Sequence, residues 1–344
     1  MFRNGKTISK IALFLCISAT FAGVVFGQSK PPQEPKPGVA PPKPRAERLP
    51  KIYAGDPQTT EKAISVDPNV NIKVPCISQG NLKITGWERS EVRVFIKDGS
   101  NIGFKVLEKD AASGKPNWIL IASVVPAEGP KSHGTECLSG KSIEIDVPMG
   151  AGLNVFGRET ETTVDSVRKI SIKNIGGNIA LRNIAGGIMA ETYEGDVTVE
   201  NSGGSISLQS STGNIVAFEV SPGQIGDLFK AKTNNGAISL QKVEHRQIEA
   251  ISISGTVLFN GKFLNGGLYD FKTSNGSIRM TLPQDSSCTI AASYGFGSFN
   301  SDIPLKIVTE NVSPGGKNVV ATIGSGAATV NVTTNSGSIG IKKQ

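Results

Sequence analysis

The sequence predicts an all-β protein: a right-handed parallel β-solenoid, with a strand-rich N-terminal region packed on its first coil. Three observations predict it. Gly177, Gly186, Gly195, Gly204 and Gly213 are spaced by nine residues. Each is followed at +2 and +4 by an inward-type pair, namely Ile179 and Leu181, Ile188 and Ala190, Val197 and Val199, Ile206 and Leu208, Ile215 and Ala217. No segment carries a long apolar period of the helical kind.

Apolar residues two apart face the same side of a strand. Each nine-residue unit therefore reads as one short strand and a turn at glycine, which tolerates positive φ without a Cβ clash. A small polar residue stands three positions before each glycine: Asn174, Asn183, Thr192, Asn201 and Ser210. Such side chains bond backbone groups at turns, and stacked units would align them into ladders. Two folds fit this unit. In a solenoid, two units close a coil of about 18 residues, and strands two units apart pair in parallel. In an antiparallel meander, each unit pairs with the next. The pairs Asn235-Gly236 and Asn275-Gly276 are hairpin signals that speak for the meander. Position-by-position identity between units favours stacking, because a lone repeat cannot bury its inner face.

Residues 1–27 read as a secretory signal peptide. Arg3, Lys6 and Lys10 precede an apolar run from Ile11 to Phe26, and Val25-Phe26-Gly27 suits cleavage before Gln28. That run is short of a membrane span and is broken by Ser18, Thr20 and glycines, so the mature chain is expected to lack one. Residues 28–51 form a proline-rich basic linker, a stiff extended spacer. The signal segment holds +3 and the linker +4 of the formal net charge of +7, so residues 52–344 carry 27 basic and 27 acidic residues. A nucleic-acid surface needs basic residues gathered on the fold itself, and nucleic acid is therefore set aside as a partner.

Residues 52–170 have β character without the strict period. Gly80, Leu82 and Ile84 make an early copy of the unit, Val92, Val94 and Ile96 alternate, and Trp118-Ile119-Leu120-Ile121 reads as a buried strand. Residues 171–344 form the glycine-repeat solenoid. Beyond residue 217 the unit returns at Gly236, Gly255, Gly276 and Gly337, with Thr233, Ser252, Thr273 and Thr334 three residues earlier.

The segments GNLKITGW (80–87), TNNGAISL (233–240), TSNGSIRMTLP (273–283) and ATVNVTTNSGSIGI (328–341) carry a family likeness. Over about residues 70–344 the chain resembles the bacterial putative-adhesin family of glycine-rich β-solenoid domains. It is more distantly similar to the head domains of auto-transporter adhesins. The resemblance implies the solenoid over the meander and brings no catalytic residues with it.

The chemistry is sparse. His133 and His245 stand far apart, and no CxxC or HxxxH spacing suggests zinc. GTECLSGKS (134–142) has five residues between its glycines where a phosphate loop needs four, and a strand-like SIEIDVP where it needs a helix. Calcium β-rolls need an aspartate in each repeat, and Asp196 stands alone in the regular stretch. Glu191, Glu194 and Glu200 fall at different points of the repeat and read as solvated, not as the paired carboxylates of a glycosidase. No catalytic, cofactor-binding or metal-ligating residue is assigned. Tyr269, Tyr294 and Phe296 are the candidates for an aromatic surface patch. Export leaves Cys76, Cys137 and Cys288, hence at most one intrachain bridge. Cys76 and Cys137 lie in the less regular region, each just before a glycine and a strand, and are the expected pair. Closing about 62 residues is worth roughly 4 kcal/mol on the chain-entropy model.

The expectation is an exported, non-enzymatic adhesin or cell-envelope binding module, with a glycan or an envelope protein as partner and the periplasm, surface or medium as its place. The alternatives are a polysaccharide-active enzyme on a β-helix scaffold and a purely structural envelope protein.

Overall fold

Among the described residues, every strand lies in one continuous system of hydrogen-bonded ladders. The computed structural model describes residues 59–124 and 137–344. The segments read as signal peptide and linker, and His133, lie outside them. Among the described residues there is no helix, and so none long and apolar enough to cross a membrane.

The strands in chain order are β1 (Thr60–Ser65), β2 (Asn71–Trp87), β3 (Glu91–Lys97), β4 (Ile102–Lys109), β5 (Pro116–Ser123), β6 (Leu138–Pro148), β7 (Gly152–Asp165), β8 (Lys169–Gly176) and β9 (Ile179–Arg182). The regular repeat supplies β10 (Ile188–Glu194), β11 (Val197–Gly203), β12 (Ile206–Thr212), β13 (Ile215–Ser221), β14 (Leu228–Asn235), β15 (Ile238–Val243), β16 (Gln247–Ser254) and β17 (Val257–Asn260). The rest are β18 (Leu268–Asn275), β19 (Ile278–Leu282), β20 (Cys288–Phe296), β21 (Phe299–Ser301), β22 (Lys306–Ser313), β23 (Gly316–Ile323), β24 (Thr329–Ser336) and β25 (Ile339–Lys343).

Strands two units apart pair in parallel. Ile188 on β10 lies opposite Ile206 on β12, and Val197 on β11 opposite Ile215 on β13. One coil is thus two nine-residue units. The apolar pairs stack into columns: Ile170, Ile188, Ile206, Phe229 and Ile248 follow one another in register on one wall. Ile179, Val197, Ile215, Ile238 and Val257 do so on the other. All of these are buried. The meander is overturned. Gly236 and Gly276 turn the chain into the second wall of the same coil, and their N–H groups donate to Ser254 O and Ser336 O on the next coil of the stack.

The glycines and the small polar residues hold one corner together. A Cβ on Gly195 would run into the carbonyl of Gly177, one on Gly213 into Gly195, one on Gly236 into Gly213, and one on Gly255 into Gly236. The carbonyls in this column accept hydroxyl donors from inside. Ser210 Oγ donates to Gly195 O, Thr233 to Gly213 O and Ser252 to Gly236 O, all at 2.9 Å. The other corner differs. Asn183 and Asn201 are exposed at φ 54° and 45°. Asn201 Nδ2 donates to Asn183 Oδ1 at 2.6 Å. The expected polar ladder therefore exists in two forms, one buried and one at the surface.

Stacking order departs from chain order at both ends. β2 pairs with β5 and β6 on one side and β7 on the other. The first coil in sequence is thus second in the stack, held between β5 with β6 and β7. At the far end, β24 and β25 slot between β18–β19 and β20–β21. Pairing runs unbroken across residue 170 through β7 and β8. The end coils are covered by antiparallel strands: β3 on β6, β1 on β3, β4 on β5, β23 on β20 and β22 on β23. Unpaired edges invite non-specific pairing, and these covers move the edge away from the coils.

Candidate functional site

Outward positions on the walls are where a stacked fold can meet a ligand. On the wall built from β5, β2, β7 and β8, Trp118, Asn71, Gly152 and Lys169 lie in register across the four strands. One step along lie Leu120, Lys73, Asn154 and Ser171. An open groove of about 470 Å³ runs over these rows, lined by Trp118, Asn71, Lys73, Asn154, Lys169 and Ser171, with Ile72 and Leu153 beneath. The strand 118–121 is thus not wholly buried as its apolar run suggested. Ile119 and Ile121 are inside, while Trp118 is 44% exposed on the outer face. Alternation along a strand decides this; the apolar character of the run hid it.

Gly152 shapes the floor of the groove. A Cβ there would lie 2.8 Å from Asn71 Oδ1 and 3.2 Å from the Arg168 guanidinium. Arg168 is itself held by a hydrogen bond from Nε to Gly150 O at 2.8 Å. Lys73, Arg168 and Lys169 give this stretch of wall a positive character, and no carboxylate is among the lining residues.

The three aromatic candidates separate. Tyr269 is not at the surface: it is 1% exposed, in register with Ile248 and Val330 in the inward column. There it packs on Phe263 with ring centroids 4.5 Å apart, and its hydroxyl accepts from Leu264 N at 2.8 Å. Tyr294 is also buried, at the inward position that Thr334 holds on the neighbouring coil. Phe296 alone is exposed, at 78%. No aromatic patch joins them.

Of the three glutamates, Glu194 is exposed and Glu191 and Glu200 are paired across coils. Glu191 pairs with Lys173 at 2.8 Å and Glu200 with Arg182 at 2.9 Å, each one coil away. Exposed pairs of this kind add little stability. Asp196 accepts from Asn214 N at 2.7 Å as a corner residue. Among the described residues, no three His, Cys, Asp or Glu side chains come together as a metal site.

Cys76 on β2 and Cys137, just before β6, are joined in a disulfide with Cα atoms 4.6 Å apart. The bond ties the out-of-order coil to the end coil that covers it. Cys288 is free and buried, and burial pushes its thiol up to about 12. Replacing Cys76 and Cys137 together by serine should lower stability by roughly 2–4 kcal/mol. Urea unfolding of the purified chain, with and without reductant, measures it. A reductant-insensitive wild type, or a variant of unchanged midpoint, would refute this.

His245, which the sequence left without a role, is fully buried. Its Nε2 lies 2.8 Å from Gly204 O, and its Nδ1 has no partner. Burial holds its pKa below the ordinary value, against the opposing pull of the Gly204 carbonyl and of Asp227. A depressed histidine means that the unfolded chain binds the extra proton first. Its contribution is intact above about pH 6.5 and is lost as the pH falls below that value, by at most about 1.4 kcal/mol per pH unit. The wild type should therefore lose stability between about pH 6.5 and 5, and His245→Gln should flatten that part of the curve. Denaturant midpoints across this range would disprove it if the two profiles ran parallel.

The family model described as Toastrack DUF4097 matches residues 128–342. No curated protein matches the chain. Among solved structures it is similar to a putative adhesin from Parabacteroides distasonis, at 12% identity, with 83% of this chain and 98% of that one covered and a TM-score of 0.38. A putative cell adhesion protein from Clostridium sporogenes is 12% identical, over 83% of this chain and 100% of that one, with a TM-score of 0.25. A putative lipid binding protein from Parabacteroides distasonis is 11% identical, over 84% and 98%, with a TM-score of 0.34.

Proposed function

The chain belongs to the Toastrack DUF4097 family, and from that premise we propose that it is an exported, non-catalytic binding module of the adhesin type, acting in the cell envelope or beyond it. The groove under Trp118 carries this reading. It offers an aromatic face, two carboxamides and two ammonium groups, which is chemistry for holding a ligand. Its lining includes no carboxylate, imidazole or thiol to cleave one. In this reading residues 1–27 are removed on export, and residues 28–51 remain as a basic, proline-rich N-terminal tail ahead of a right-handed solenoid. A bridge between Cys76 and Cys137 suits an oxidising compartment.

Cell fractionation and retention on immobilised envelope polymers test the proposal together. The chain is expected in the envelope or the medium, and it should be retained on a polymer without releasing new sugar ends. A cytoplasmic location, or steady release of reducing or unsaturated ends, would overturn it.

A further inference from the structure

We propose that the Trp118 groove is a subsite for an acidic polysaccharide, one whose negative groups are the carboxylates of uronic acid rings. This deepens the binding-module reading and rests on it.

Four features of the groove converge on that chemistry. Trp118 is 44% exposed on a strand anchored from below by buried Ile119 and Ile121, so its ring stands on the outer face of a fixed strand. Aromatic faces of this kind take the apolar face of a sugar ring, which presents C–H bonds to the π cloud. Asn71 and Asn154 supply carboxamides that both donate to and accept from ring hydroxyls. Lys73 and Lys169 lie on two different strands, one in each row, with Arg168 beside Gly152, while the lining itself offers no negative charge. Glu108, opposite Trp118 on β4, is exposed and stands outside the lining.

The size also fits. Adjacent strands lie about 4.8 Å apart, so the Trp118 and Lys169 strands are roughly 14 Å apart across the wall. That spans a short oligosaccharide, not a single sugar. The groove is open along its length, as a chain-binding subsite must be. A uronic acid bears its carboxylate at the rim of the ring, bonded directly to ring carbon. Such a ring can stack flat on Trp118 while its carboxylate meets an ammonium group beside it. A sulfate ester sets its charged group one bond farther from the ring carbon than a uronic carboxylate does. Gly152 completes the arrangement, because any side chain there would press on Asn71 and Arg168 and raise the floor.

The test is titration of the full exported chain with galacturonic acid oligomers, followed by calorimetry and tryptophan fluorescence. Three variants accompany it: Trp118→Ala, the double variant Lys73→Gln/Lys169→Gln, and Gly152→Val. Circular dichroism checks that each folds, and the lysine pair, being on the surface, keeps the test open if Trp118→Ala does not fold. Saturable binding is expected, weakened about tenfold by Trp118→Ala and by a similar factor in the lysine pair. Gly152→Val should also weaken it, and salt should weaken the wild type more than the lysine pair.

Several results would overturn the proposal. Undiminished binding by Trp118→Ala would place the interaction elsewhere, for example on basic residues 28–51. Equal, Trp118-dependent binding of neutral galactose oligomers would remove the role of charge. Equal binding of polyglutamate would remove the sugar, and preference for sulfated oligomers would remove the carboxylate. If some other envelope polymer binds independently of Trp118, the subsite falls and the binding module stands. If no polymer is retained at all, both fall.

Discussion

Leu208→Asp should leave the chain without a cooperative unfolding transition, or lower its stability by at least about 5 kcal/mol, while Ser207→Asp should change it by less than about 0.5 kcal/mol. Leu208 is 1% exposed, in register between Ala190 and Ala231. A carboxylate there has no hydrogen-bonding partner and must either ionise in an apolar column or take up a proton. Neither is cheap, and the cavity left by the lost isobutyl group adds to the cost. Ser207 is one residue away on the outer face, between Met189 and Lys230. A single step along a strand thus reverses the environment. Thermal and urea unfolding of the two variants, followed by circular dichroism, is the measurement. Similar losses at both positions would mean that the register described here is wrong.

Gly213→Ala should cost about 4–5 kcal/mol, at the high end of single-substitution effects. Gly213 has φ 155°, outside the range that other residues adopt readily. Its absent Cβ also points at the carbonyl of Gly195. That carbonyl is backbone of the neighbouring coil and accepts the Ser210 hydroxyl, so it cannot swing aside without opening a buried hydrogen bond. The coil spacing must then widen locally, and the columns on both walls lose contact with it. A control is available at Gly315, where a Cβ would meet nothing within 4 Å. Gly315→Ala should be almost neutral. If Gly213→Ala unfolds at the same denaturant concentration as the wild type, the glycine column does not set the spacing.

Much of the fold was legible because the same few residues recur in every coil. The inward pairs, the corner glycine and the polar residue before it are local signals, and each does the same physical work in each unit. Two features were not legible. Stacking order leaves no local trace, because Ile339 and Ile341 of β25 suit a place after β21 as well as the place they take beside Ile278 and Met280. Any coil's apolar pair fits against any other's. Outward and inward aromatics were also confused. Tyr269 and Tyr294 stood as candidates for a surface patch, yet each holds an inward register position, and the Tyr269 hydroxyl is satisfied internally. Trp118 was read in the opposite sense, because a run of four apolar residues masks an alternation that only the ladder to Asn71 reveals. The pairing of Cys76 with Cys137 was legible from their shared place in the irregular region. Its role in tying a displaced coil was not.

The slotted coils bear on how the molecule can be assembled. A stack that grew in chain order could fold while it emerged from a channel, each coil templating the next. Here β18 and β20 come together only through β24, which follows β22 and β23 in the chain. The gap between them stays open until β24 has been delivered. Vectorial folding therefore stops one coil short, and completion is an insertion event between two waiting edges. The N-terminal end poses the reverse problem: β2 emerges before all of its partners and gains its outer neighbours only when β5 and β6 arrive. Such non-local closures are slow, because the loop must be ordered before its contacts form. Until that insertion the stack is partly open, with the edges of β18 and β20 that face β24 still unpaired.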